Sequence, residues 1–88
     1  MKLKYKFIIN DVAGSKVAVS SERIDDSFKG MIRLNETGEY IFKKLQKDST
    51  VEQIAEALSK KYKISKQTAT TDVVKFVEHL NSYGIIEM

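Results

Sequence analysis

The spacing of apolar residues changes at Leu34, from every second position before it to every third or fourth after it. From Lys4 to Asn10, Tyr5, Phe7 and Ile9 occupy one face and Lys4, Lys6 and Asn10 the other, the pattern of a half-buried strand. Ile8 breaks the polarity of the outer face. Asp11 to Ser15 (DVAGS) supplies turn chemistry, with Gly14 free to take positive φ, and Lys16 to Ser20 resumes the alternation through Val17 and Val19. A hairpin is predicted. Ser21 to Ser27 (SERIDDS) reads as a polar connection with Ile24 as its buried candidate, and Phe28 leads into a third strand ending at Leu34. In that strand Met31 and Arg33 share one face, and Gly30, Ile32 and Leu34 the other.

After Leu34 the period is helical. Asn35 offers a side-chain oxygen to the free amides of a first helix, expected from Glu36 to Lys47, with Ile41, Phe42 and Leu45 inward and Gly38 allowing close approach of its first turn. Thr50 and Gln53 have capping-box spacing, and Val51, Ile54, Ala55, Leu58 and Tyr62 follow on one stripe. Ser65 caps a third helix carrying Ala69, Val73, Phe76, Val77 and Leu80 inward, and Gly84 sits where a left-handed terminus belongs. Ile85 and Ile86 then fold back on the core or add a short strand. The expected fold is α+β: a small three-stranded antiparallel sheet over residues 1–34, then a helix-turn-helix-like trio over 35–88, together one domain.

Composition narrows the chemistry. With 88 residues the chain can build one modest core but no interdomain cleft, which favours a binding module over an enzyme. The lack of cysteine excludes disulfides, thiolate nucleophiles and cysteine-bound metal centres. The longest apolar run near the N-terminus, Phe7 to Ile9, is too short for a signal-peptide core or a membrane span, so a cytoplasmic protein without membrane contact is expected. Residues 1–34 carry seven basic against four acidic side chains, whereas residues 35–88 carry eight of each. The excess positive charge lies on the sheet half.

His79 is the single histidine, and its helical neighbours Lys75, Phe76, Ser82 and Tyr83 include no carboxylate to orient the imidazole. Asp25 and Asp26 read as solvated loop charges, and no phosphate-cradling glycine motif exists. No catalytic residue, metal ligand or cofactor is therefore expected. A helix-turn-helix trio raises the alternative of a winged helix-turn-helix regulator that binds nucleic acid. Against it, the outward positions of the third helix (Lys66, Gln67, Thr70, Asp72, Lys75, Glu78 and His79) are mixed in charge, and no arginine follows Arg33.

An open three-stranded sheet has edge strands able to accept an added strand. Lys29 and Arg33 fit edge protection against aggregation and equally fit rim charges for an acidic peptide, with Met31 as an apolar contact. The residues alone leave both readings open. The same edge permits a strand-exchanged dimer as well as a monomer.

Three segments in combination, GMIRLNETGEYIFKKL, TVEQIAEALSKKY and DVVKFVEHLNSYGII, resemble the PqqD family, and FIINDVAGSKVAVS is similar to that family's opening hairpin. The resemblance covers essentially the whole chain. It implies a winged-helix-like RiPP recognition element, RiPPs being ribosomally made and post-translationally modified peptides. Such a domain captures the leader segment of a precursor peptide and presents it to a modifying enzyme, often a radical S-adenosylmethionine protein. The leader adds as a strand beside the third strand, in a groove whose other wall is the third helix. Carried onto this chain, the peptide-binding set is Lys29, Gly30, Met31, Ile32, Arg33 and Leu34 from the strand, with Asp72, Lys75, Phe76, His79 and Tyr83 from the helix. Where members of the quinone pathway carry an aromatic-proline-glutamate stretch, this chain has IDDSFKG, which leaves the modification pathway open.

Overall fold

The computed structural model describes residues 1–20 and 31–87. Along them run β1 (Lys2–Leu3), β2 (Phe7–Val12), β3 (Ser15–Ser20), β4 (Met31–Leu34), α1 (Glu36–Lys44), α2 (Val51–Tyr62), α3 (Lys66–Ser82) and β5 (Ile86–Glu87). Strands β2, β3 and β4 form an antiparallel sheet with β3 in the middle, and β1 pairs antiparallel with β5. The α+β architecture expected from the spacing is the one observed. Ile24, Phe28, Lys29 and Gly30 lie outside the described residues.

The three helices begin where local chemistry places them. Asn35, Thr50 and Ser65 each accept a hydrogen bond from the backbone amide three residues on, and Thr50 with Gln53 completes a reciprocal capping box. Helix α1 stops at Lys44, short of the expected Lys47: the amides of Gln46 and Lys47 donate to the carbonyls three residues back, Lys43 and Lys44 (both 3.3 Å), and the single Ser49 hydroxyl proton is shared between the carbonyls of Lys44 (3.1 Å) and Lys47 (3.2 Å). Those carbonyls then need no further helical turn. Chain reversal after α3 comes at Gly84, with φ 71°.

The hairpin corrects the expected facing of its second strand. Ala13 and Gly14 both take positive φ (54° and 84°), the signature of a type I′ turn, and this two-residue link sets Val12 opposite Ser15. Counting along the ladder puts Val17 opposite Asn10 and Val19 opposite Ile8, on the outer face. Ala18 enters the main core between Ile9 and Ile32, while Val17, though it stands on the outer face, is itself buried at 7% exposure. A strand's facing is set by its turn, and a change of one residue inverts it. Because alanine tolerates positive φ poorly and asparagine tolerates it well, Ala13→Asn is expected to stabilise the domain by about 0.5–1 kcal/mol in urea unfolding, with Gly14 retained.

The core lies between the inner face of the sheet and the helices. Phe7, Ala18, Ile32 and Leu34 meet Ile41, Phe42 and Leu45 of α1, and behind them Ile54 and Leu58 of α2 and Val73 and Leu80 of α3. Phe42 is fully buried and meets the edge of Phe7 at 5.2 Å between ring centroids. The N-terminal segment closes one end of this core. Leu3 is buried there, its amide donating to the Leu45 carbonyl at 2.9 Å, and the Lys4 amide donates to the Ile85 carbonyl at 2.9 Å. No buried polar or charged side chain occurs among the described residues, so apolar burial carries the packing.

Candidate functional site

Strand β4 is paired with β3 along one side, and no other described strand pairs with it. At its C-terminal end the chain turns directly into α1 through Asn35, so the edge of a strand, the first turn of a helix and the flank of α3 meet there. A hollow of about 800 Å³ opens at this junction, lined by Arg33, Leu34, Asn35, Glu36, Phe76 and His79, with Lys16 brought in by its pairing opposite Leu34. A second, of about 420 Å³, shares Asn35, Phe76 and His79 and continues along α3 past Lys75 to Asp72. Together they make one groove along the α3 flank.

Gly38 shapes the groove. Its amide donates to the Asn35 side-chain oxygen at 2.7 Å, and the Thr37 hydroxyl donates to the same oxygen at 3.2 Å. A methyl group on Gly38 would stand 2.9 Å from that oxygen and 3.2 Å from the Phe76 ring. Only a hydrogen fits comfortably there. Gly38→Val is therefore expected to displace Phe76 or break the cap, costing about 2 kcal/mol in thermal or urea unfolding despite valine's better helix propensity. A melting temperature at or above that of the wild type would show that Phe76 yields freely.

At the far end of the α3 flank the rings of His79 and Tyr83 meet at 5.1 Å and 73°, with the Tyr83 hydroxyl 3.4 Å from Nε2 of His79. At the end of α2, where Tyr62 meets Tyr40 of α1 at 6.0 Å between ring centroids, partial desolvation first, then the negative charges of Glu36 and Glu39, hold the Tyr62 phenol above its ordinary value. The groove thus joins an apolar floor at Phe76 to a rim of mixed charge, Arg33 and Lys75 against Glu36 and Asp72. Among the described residues no three metal-ligating side chains converge, and no helix is long and apolar enough to cross a membrane.

The expected site residues divide by what the structure does with them. Arg33, Leu34, Phe76 and His79 come together in the first hollow, and Asp72 and Lys75 in the second. Ile32 and Leu34 are buried in the core and turn their main-chain groups to Ala18 and Lys16 of β3, so the main chain offered at the edge is that of Met31 and Arg33. Met31 points its side chain to the outer face of the sheet, away from the core, and Tyr83 bears on the groove through His79. Lys29 and Gly30 fall outside the described residues. Asn35, Glu36, Glu39 and Lys16 line the groove without having been expected. Asn35 was legible as a helix cap, but the others arrive through pairing and helix packing that no local pattern encodes.

A three-stranded sheet whose β4 edge no other described strand covers, set beside a groove walled by the third of three helices, defines a small α+β domain with the geometry at which an extended chain segment can add as a strand. The family model for coenzyme PQQ synthesis protein D (PqqD) matches residues 15–86, and the chain belongs to that family. The fold is also that of a solved structure, TbiB1 in complex with the TbiA(beta) leader peptide, with TM-score 0.73 and 19% identity over 99% of this chain and 95% of that one. Among curated proteins no match was found.

Proposed function

We propose that this domain is a non-catalytic peptide chaperone. It captures the leader segment of a ribosomal precursor peptide as an added antiparallel strand on β4 and presents it to a modifying enzyme, such as a radical S-adenosylmethionine maturase. The observation that carries this reading is the edge of β4 that no other described strand covers, opening beside the α3 groove. Membership of the PqqD family supports it, as does the shared fold with TbiB1, whose structure holds a leader peptide.

Main-chain hydrogen bonds to an edge strand give affinity with little demand on sequence, and side-chain pockets at alternate positions select the peptide. Here Phe76, His79 and Tyr83 would read the residues turned toward α3, and Arg33 and Lys75 would set the preference for charge. A leader that is disordered when free loses conformational entropy on docking, which predicts moderate affinity.

The test is capture by the immobilised domain from a lysate of its host, with peptides, proteins and nucleic acid quantified in the eluate. Recovery of one short peptide together with a larger enzyme, and new protection of the Met31 and Arg33 amides from hydrogen exchange in the peptide complex, is the expected result. Nucleic acid that elutes steeply with salt would overturn it in favour of a regulator. The balanced charge of α3, with Lys66 and Lys75 against Asp72 and Glu78, speaks against that outcome.

A further inference from the structure

We infer that the outer face of the β2–β3–β4 sheet is a docking surface for the enzyme that receives the peptide, and that the enzyme meets it with an apolar patch edged by carboxylates. The inference rests on the peptide-capture reading.

Of the five large apolar side chains left exposed among the described residues, three stand on this one face: Ile8 (56%), Val12 (56%) and Met31 (63%). The ladder aligns Ile8, Val19 and Met31 in one cross-strand row and Asn10, Val17 and Arg33 in the next, with Val17 buried and Val19 half-buried on the middle strand, so that Ile8, Val12 and Met31 supply the exposed apolar contacts. The solvent face of an antiparallel sheet is ordinarily polar at these positions. Strand spacing and rise give such a three-strand face a total area of about 300 Å², comparable with the smaller of the largest surface patches on single chains, which are often functional. It is smaller than the ~800 Å² that each partner contributes to a stable complex, so the docking is transient.

The charges choose the partner. Arg33 stands on the face itself, and the hollow that adjoins Ile8 is lined by Lys2 and Lys4 together with Glu87. The acid in the described part of the sheet, Asp11, lies on the opposite face, where it pairs with Lys16 at 3.4 Å. An apolar centre with a basic margin calls for carboxylates on the other side. A second copy of the chain would set basic margin against basic margin. Nucleic acid would find no aromatic ring among the described residues of this face to stack a base upon.

Position selects the enzyme among proteins of that description. A peptide strand added to β4 turns alternate side chains into the same layer as Met31 and Arg33. A protein seated on the outer face therefore touches the domain and the outward half of the captured peptide at once, and the peptide enlarges its footing.

Photo-cross-linking tests the assignment, with a photoreactive phenylalanine analogue placed at Ile8 or at Val12 and irradiated in host cells. The expected adduct is a peptide-modifying enzyme, joined through a surface segment bearing Asp or Glu. Ile8→Glu and Val12→Glu, both melting like the wild type, are expected to weaken that enzyme's binding about tenfold or more while the affinity for the peptide stays unchanged. An adduct to a second copy, to nucleic acid or to unrelated proteins, or no adduct, overturns the assignment, as would full binding to anionic lipid vesicles that the same variants abolish. An enzyme adduct from a wild-type domain that binds no peptide would instead overturn peptide capture and leave the docking face standing.

Discussion

Met31→Pro should lose peptide capture by one to two orders of magnitude while α1, α2 and α3 keep their helical signal. Proline removes an amide donor and sets its ring on the strand where the peptide must pair, and an acceptor left without its donor costs about 1–3 kcal/mol. Met31 is well suited to the test because its side chain is 63% exposed and makes no part of the core. Met31→Ala, which keeps the amide, should stay within a few-fold of the wild type. Binding is read on protein whose Val17, Ala18 and Val19 amides remain protected from exchange, which certifies the sheet. Unchanged affinity in such a variant would sink strand addition and leave side-chain capture in the α3 groove as the mechanism.

Phe42→Ala should be the most damaging single truncation. The ring is fully buried, comes from α1, and meets Phe7 of the sheet edge-on at 87°. It joins the two layers. Emptying that site costs about 3–5 kcal/mol, against a total stability of about 4–13 kcal/mol for a chain of this length. The melting temperature should fall by about 15–30 °C, and capture should fail with the fold rather than separately from it. Val74→Ala, at a half-open position on α3, should change stability by less than about 0.5 kcal/mol. A Phe42→Ala variant that melts near the wild type would mean that the helices pack without the sheet.

Local signals in the chain proved informative where the physics itself is local. Asn35, Thr50 and Ser65 could be read as caps because the hydrogen bond spans only three residues. The stripes of α2 and α3 were legible for the same reason. The facing of Val17 and Val19 was not, since it depends on how many residues the turn spends, and a turn of Ala13 and Gly14 differs by one step from other reasonable turns. The return of Ile85 and Ile86 to the core, with a short strand at Ile86–Glu87, was expected, but its partner β1 was not: each strand is two residues long, and the two lie at opposite ends of the chain. In the groove, Phe76 and His79 were placed by resemblance, whereas Lys16, Glu36 and Glu39 depended on a register and a helix crossing that spacing does not reveal.

The pairing of Lys2 with Glu87 and of Leu3 with Ile86 brings both ends of the described chain to one spot on the surface. A short linker could join them and the chain be cut anew between Ala13 and Gly14, giving a circular permutant that keeps every layer of the core. The same closeness makes the domain a cassette. It can be spliced into a surface loop of a larger protein, entering and leaving at neighbouring points, without stretching its host.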